Sequence, residues 1–146
     1  MQMLTGDIRK VHIFRFDMGQ DLLDALQNAI QEAGIRQGVI LNGIGSLVTY
    51  HVHVVGRKQR PVPNIYMQDE RGMDLVAAQG YIIDGRVHAH ITISDSETAI
   101  GGHLEPGCEV YTFAIITVAE LTDTALTGID DVLWTTWTSR EMDRSL

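Results

Sequence analysis

Cysteine occurs once in this chain of 146 residues, at Cys108. An intramolecular disulfide is therefore impossible, and so is a zinc knuckle built on paired thiolates. The same scarcity fits a reducing compartment. With no basic-then-apolar leader at the start, the expectation is a cytoplasmic protein. Of the three prolines, Pro61 and Pro63 stand among basic residues and mark residues 56–64 as a loop. No apolar run approaches the roughly 18 residues of a membrane helix, so no membrane partner is expected. Positive charge is also short: 11 Lys and Arg stand against 19 Asp and Glu, a formal net −8. Such a field opposes unaided binding to a phosphate backbone. The candidate nucleic-acid patch is Arg57, Lys58 and Arg60, whose bland reading is a solvated loop.

What is present is ordinary globular material, 45% apolar and 21% charged. The length suits one domain over residues 1–146, with 140–146 expected to be a flexible tail. Residues 11–16 alternate as a strand. A helix follows from Asp17 or Gly19, with Leu22, Leu23, Leu26, Ala29, Ile30 and Ala33 as its apolar stripe and Gly34 as its stop. Asp21 and Asp24 near its front suit the helix dipole. Residues 38–47 read as a short apolar strand entering a glycine-rich bend at Gly43-Ile-Gly45. Further strands are expected at 47–55, 65–68 and 75–83, the last with Gly80 as a possible bulge. Asp84-Gly85 is the dipeptide of a tight hairpin. A long β-rich run covers 109–121, and 129–137 reads as a last strand. The fold class is α+β: a mostly antiparallel sheet of about seven strands with one main covering helix. One helix leaves the other sheet face to be polar, to curl on itself or to meet another subunit.

Residues 88–103 read His-Ala-His-Ile-Thr-Ile-Ser-Asp-Ser-Glu-Thr-Ala-Ile-Gly-Gly-His. On a strand, His88 and His90 share one face, and Val87, Ala89, Ile91 and Ile93 fill the core face. The polar cluster at 94–98 is a turn signal. A hairpin symmetric about Ser96–Glu97 pairs Ser94 with Ala99, Thr92 with Gly101, His90 with His103 and His88 with Glu105. His88, His90 and His103 then converge, as the three ligands of an open zinc site do. Glu105 is a fourth ligand, an orienting neighbour or a general base, against the plain reading of a surface acid before a Pro-Gly turn. Gly101 and Gly102 leave the neighbouring strand bare, which suits close approach of a ligand or another backbone. His51 and His53 form a second such pair. Alternation alone is the usual mark of an exposed strand face, and the sequence leaves open whether they join the site.

These segments resemble the PPC domain (DUF296) of prokaryotes and plants. The likeness lies in Leu41-Asn-Gly-Ile-Gly-Ser-Leu47, in residues 80–95, which run through His-Ala-His, and in Gly101-Gly-His-Leu104. The resemblance implies an α/β domain with a mostly antiparallel sheet and a helix, assembled as a homotrimer. It also implies a bound metal ion, zinc or another divalent metal, on His88, His90 and His103. In land plants the domain follows an Arg-Gly-Arg type DNA-binding hook, and no Arg-Gly-Arg occurs among these 146 residues.

Three functions compete on this reading. One is a trimeric metal-binding domain with an open coordination position, able to take a small molecule or to hydrolyse one. Another is an interaction module for DNA-associated partners, with a structural metal. The third is direct DNA binding through Arg57, Lys58 and Arg60, opposed by the acidic charge.

Overall fold

The computed structural model describes residues 3–57 and 63–131. Lys58, Arg60 and the expected tail at 140–146 lie outside the described residues, as does most of the strand expected at 129–137. Among the described residues, eight strands form one sheet with a single helix, in the order β1(Asp7–Asp17), α1(Leu22–Glu32), β2(Gln37–Leu47), β3(Tyr50–Val55), β4(Asn64–Asp69), β5(Met73–Ile83), β6(Arg86–Ser94), β7(Ala99–Leu104) and β8(Val110–Thr122). Across the sheet the order is β1-β8-β2-β5-β6-β7-β3-β4. Every neighbouring pair is antiparallel. The expected architecture holds, with eight strands in place of about seven.

Helix α1 begins at Leu22, where its apolar stripe begins, and not at Asp17 or Gly19 as expected. Asp21 caps it, its Oδ1 accepting from the Asp24 amide at 3.0 Å, because a helix start must satisfy amides that have no intrahelical partner. The second Asp21 oxygen accepts from the Gly107 amide at 2.6 Å, which ties the helix to the turn before β8. Gly34, with φ +68°, ends the helical run. Leu22, Leu26 and Ile30 are almost fully buried. They pack into one core with Phe16, Ile40, Ile82, Val87, Ala89, Ile91 and Ile116. Each of these Leu, Ile, Val and Phe side chains contributes about 1.5–3 kcal/mol of transfer free energy, as an upper bound.

Three local readings are corrected. Gly43 and Gly45 stand inside β2, not in a bend, because β2 continues its ladder with β5 and β8 to Leu47. Register runs unbroken through Gly80, opposite Ala89, and the β5 irregularity falls at Val76 instead. Ile129 lies in a turn, with the Ile129 amide donating to Leu126 O at 3.0 Å. The Asp84-Gly85 hairpin is present: Ile83 faces Arg86 across it, and both turn residues have positive φ, 52° and 84°.

Among the described residues, helix α1 covers one side of the sheet and no element covers the other. The outward residues of β6, β7 and β3 on that other side include the histidines. The same uncovered side carries large apolar groups, with Ile13 71%, Tyr111 50% and Ile44 46% exposed.

Candidate metal centre

The β6–β7 hairpin takes the register its turn chemistry dictates. Ser94 pairs with Ala99, Thr92 with Gly101 and His90 with His103. Asp95 closes the turn, its Oδ1 accepting from the amides of Glu97 and Thr98 at 2.8 Å each. Val87, Ala89, Ile91 and Ile93 are buried, so His88, His90 and His103 project from the opposite side. The expected pairing of His88 with Glu105 does not form, because β7 ends at Leu104. Glu105 instead donates its amide to His51 O at 3.1 Å and turns its carboxylate toward β3.

Strand β3 supplies what local reasoning left open. His53 pairs directly with His103, and Val52 with Leu104. Gly102 makes this possible: a Cβ there would stand 2.6 Å from His53 O and 3.2 Å from Val52 Cβ. The bare strand therefore admits another backbone, one of the two options its glycines allowed. His53 joins the cluster. His51 does not: its Nδ1 donates to Pro106 O at 2.8 Å, and its ring leans on Tyr66.

Four imidazoles thus share one patch with His103 at its centre. Ring centroids lie 4.6 Å from His103 to His53, 4.9 Å to His88 and 5.4 Å to His90, while His88 and His90 are 5.7 Å apart. Glu105 Oε1 sits 2.5 Å from His53 Nδ1 and 3.1 Å from His103 Nδ1. Asp130 Oδ2 sits 2.6 Å from His88 Nδ1. An ionised carboxylate only accepts, so these three rings donate from Nδ1 and, when neutral, carry their lone pair on Nε2. Asp130 was missed because the sequence reads as a strand from 129, whereas the residue stands in a turn. No pattern there marks an acid that folds back on β6.

Electrostatics keep two rings ready to ligate. Burial, together with the neighbouring rings His88 and His53, holds His90 below the ordinary imidazole range. Burial and the rings of His53 and His88 do the same for His103, against the opposing pull of Glu105. For Asp130, burial opposes ionisation, but hydrogen bonds from Arg86 and His88 outweigh it and hold the carboxyl below its usual range. Neutral imidazoles beside ionised carboxylates are the chemistry a borderline divalent cation selects.

Among the described residues, His53, His103 and Glu105 offer ligand atoms that all lie within 4.8 Å of one another. His88 and His90 flank that trio without entering it. Beside the cluster a groove of about 570 Å³ opens between β2, β5 and β6. Its lining includes Val39, Leu41, Gln79, Tyr81, His88, His90, Ile129 and Asp130. Buried Cys108 takes no part, since burial pushes its thiol up to about 11. Arg57 is exposed in the bend after β3.

Residues 3–122 match the model of the Plants and Prokaryotes Conserved (PCC) domain. The chain belongs to the PCC domain family. This is the family, also written PPC, that the His-Ala-His and Gly-Gly-His-Leu segments resemble. Bifunctional protein GlmU of Synechococcus sp. (strain JA-3-3Ab) is 31% identical over 117 residues, covering 80% of this chain and 18% of that protein. The chain thus spans less than a fifth of the curated relatives it matches. Among solved structures, the metal-containing protein AF0104 of Archaeoglobus fulgidus superposes with a TM-score of 0.75 at 20% identity, over 86% of this chain and 89% of that one. A plant- and prokaryote-conserved (PPC) protein of Pyrococcus horikoshii gives 0.70 at 25% identity, over 86% and 87%. Two further structures of this fold are described provisionally as DNA-binding. No helix among the described residues of this PCC domain is long and apolar enough to cross a membrane.

Proposed function

We propose that this PCC domain binds a divalent metal ion at the four-imidazole patch, with His88, His90 and His103 as ligands and an open position toward the groove. The observation that carries the reading is the state of the rings. His88 and His103 each have a carboxylate on Nδ1, which leaves Nε2 free for an ion. Metal-bound histidines characteristically carry this arrangement. Three nitrogen donors favour zinc, and a bound zinc would bring its water toward a neutral pKa. Glu105, engaged by two imidazoles, fits the orienting role better than that of a free general base. The metal-containing description of the Archaeoglobus fulgidus structure supports the same class.

His53, His103 and Glu105 make a competing donor set, since their ligand atoms already meet. Elemental analysis of protein purified without added metal tests both. Wild type is expected to carry close to one ion per chain, and His103→Ala to lose it under either arrangement. His90→Ala is expected to lower the content sharply while His53→Ala keeps most of it; the reverse pattern would transfer the ion to the competing set. Full occupancy in all three variants would remove the metal reading.

The domain is proposed to work as a homotrimer, joined through the uncovered sheet face, and to reside in the cytoplasm, which its lone thiol fits. Direct DNA contact is the weaker reading. Trimerisation triples a charge that is already −8 per chain, and the acidic field resists a phosphate backbone. A small molecule with an oxygen or nitrogen donor suits the groove beside the ion better.

A further inference from the structure

The family match ends at residue 122. Beyond it, residues 123–131 run back to the imidazole patch, held by specific anchors. Leu126 is 4% exposed. Its amide donates to Gln37 Oε1 at 3.2 Å, and Thr127 Oγ1 donates to Asp84 Oδ2 at 2.8 Å. The turn that follows delivers Asp130, whose Oδ2 lies 2.6 Å from His88 Nδ1 and 2.6 Å from an Arg86 guanidinium nitrogen. Two carboxylates from unrelated parts of the chain therefore occupy the same atom on two rings: Glu105 on His103, and Asp130 on His88.

We propose that Asp130 is a positioning residue for the metal centre: it fixes the tautomer and orientation in which His88 offers Nε2 to the ion, as Glu105 does for His103. The inference rests on the reading of His88 as a ligand. A neutral imidazole can place its proton on either nitrogen, and it rotates freely about two bonds. A carboxylate at Nδ1 removes both freedoms and makes Nε2 more basic. The same Asp130 oxygen also pairs with Arg86, a contact the positioning role does not require. The plain alternative is that Asp130 only pairs with Arg86 to close the turn.

Zinc affinity, measured by competition with a chelating dye, and the visible spectrum of the cobalt(II)-loaded chain separate the two. Asp130→Asn is expected to weaken zinc about 10–100-fold and to alter the cobalt bands, the size seen when such outer partners are removed. Asp130→Glu is expected to recover part of the loss. Arg86→Gln, which breaks the ion pair but leaves the contact to His88, is expected to stay within about twofold of wild type. In a His88→Ala background, Asp130→Asn is expected to add nothing. Wild-type affinity in Asp130→Asn, or an equal loss in Arg86→Gln, would overturn the proposal. Wild-type affinity in His88→Ala would instead strike the ligand reading beneath it, so the two failures are distinguishable.

Discussion

At the scale of single residues, the site is defined by which nitrogen of each ring is free. His90 and His103 both titrate below the ordinary imidazole value of 6.5 in the folded chain. On acidification the unfolded chain therefore takes up these protons first. Their contribution to stability is intact above about 6.5 and is lost as pH falls through that value toward the folded pKa. The metal-free protein is thus expected to show a falling unfolding midpoint between pH 7.5 and 5.5, and a flatter profile in a His90→Ala, His103→Ala double variant. Matching profiles in the two proteins would contradict this account. His88, His90 and His103 were legible as one face because strand alternation fixes direction without any knowledge of the fold. His53 was visible as a residue but not as a neighbour. Asp130 was not legible, since an acid in irregular backbone carries no directional signal.

At the scale of elements, short-range geometry decided what could be read. The β6–β7 hairpin joins strands a few residues apart, so turn residues alone set its register, and the pairing of His90 with His103 follows. Strand β3 docks onto β7 across some fifty residues of chain, and no local pattern selects its partner. The trace it leaves is Gly102, whose lack of a side chain lets β3 approach. Gly102→Ala places a methyl against backbone, and overpacking of this kind costs about 1–3 kcal/mol. The expected result is a lower denaturation midpoint together with loss of the contact from Glu105 to His53, read from the His53 ring signals by NMR. An unchanged midpoint and unchanged signals would show that β3 does not need the gap. The glycines of β2 were misplaced for a related reason. Gly43 and Gly45 sit where neighbouring strands crowd the backbone, with Ala78 Cβ 2.5 Å from a Cβ at position 43, and such a glycine resembles a turn residue in sequence.

At the scale of the whole molecule, the described residues set one helix on an eight-stranded sheet and leave an apolar side of it uncovered among themselves. Ile13, Ile44, Tyr111 and Phe113 stand there with between 36% and 71% of their surface exposed. A lone domain gains nothing from presenting such groups to water, whereas subunits burying them together do. Light scattering is expected to give three times the chain mass for wild type and a smaller species for a variant carrying Ile13→Lys and Phe113→Lys. A wild-type monomer would end the trimer proposal. The edge of the sheet carries a further consequence. The β3–β4 ribbon is fastened to β7 by two ladder pairs, Val52 to Leu104 and His53 to His103, whereas β5 meets β6 along nearly its whole length. Besides these pairs the ribbon is held by Glu105, whose carboxylate accepts from His53 and whose amide donates to His51 O, so it is expected to open before the central strands do. Its amides should exchange with deuterated solvent well before those of the central strands, and an ion seated against His103 would slow that opening without touching the rest of the sheet.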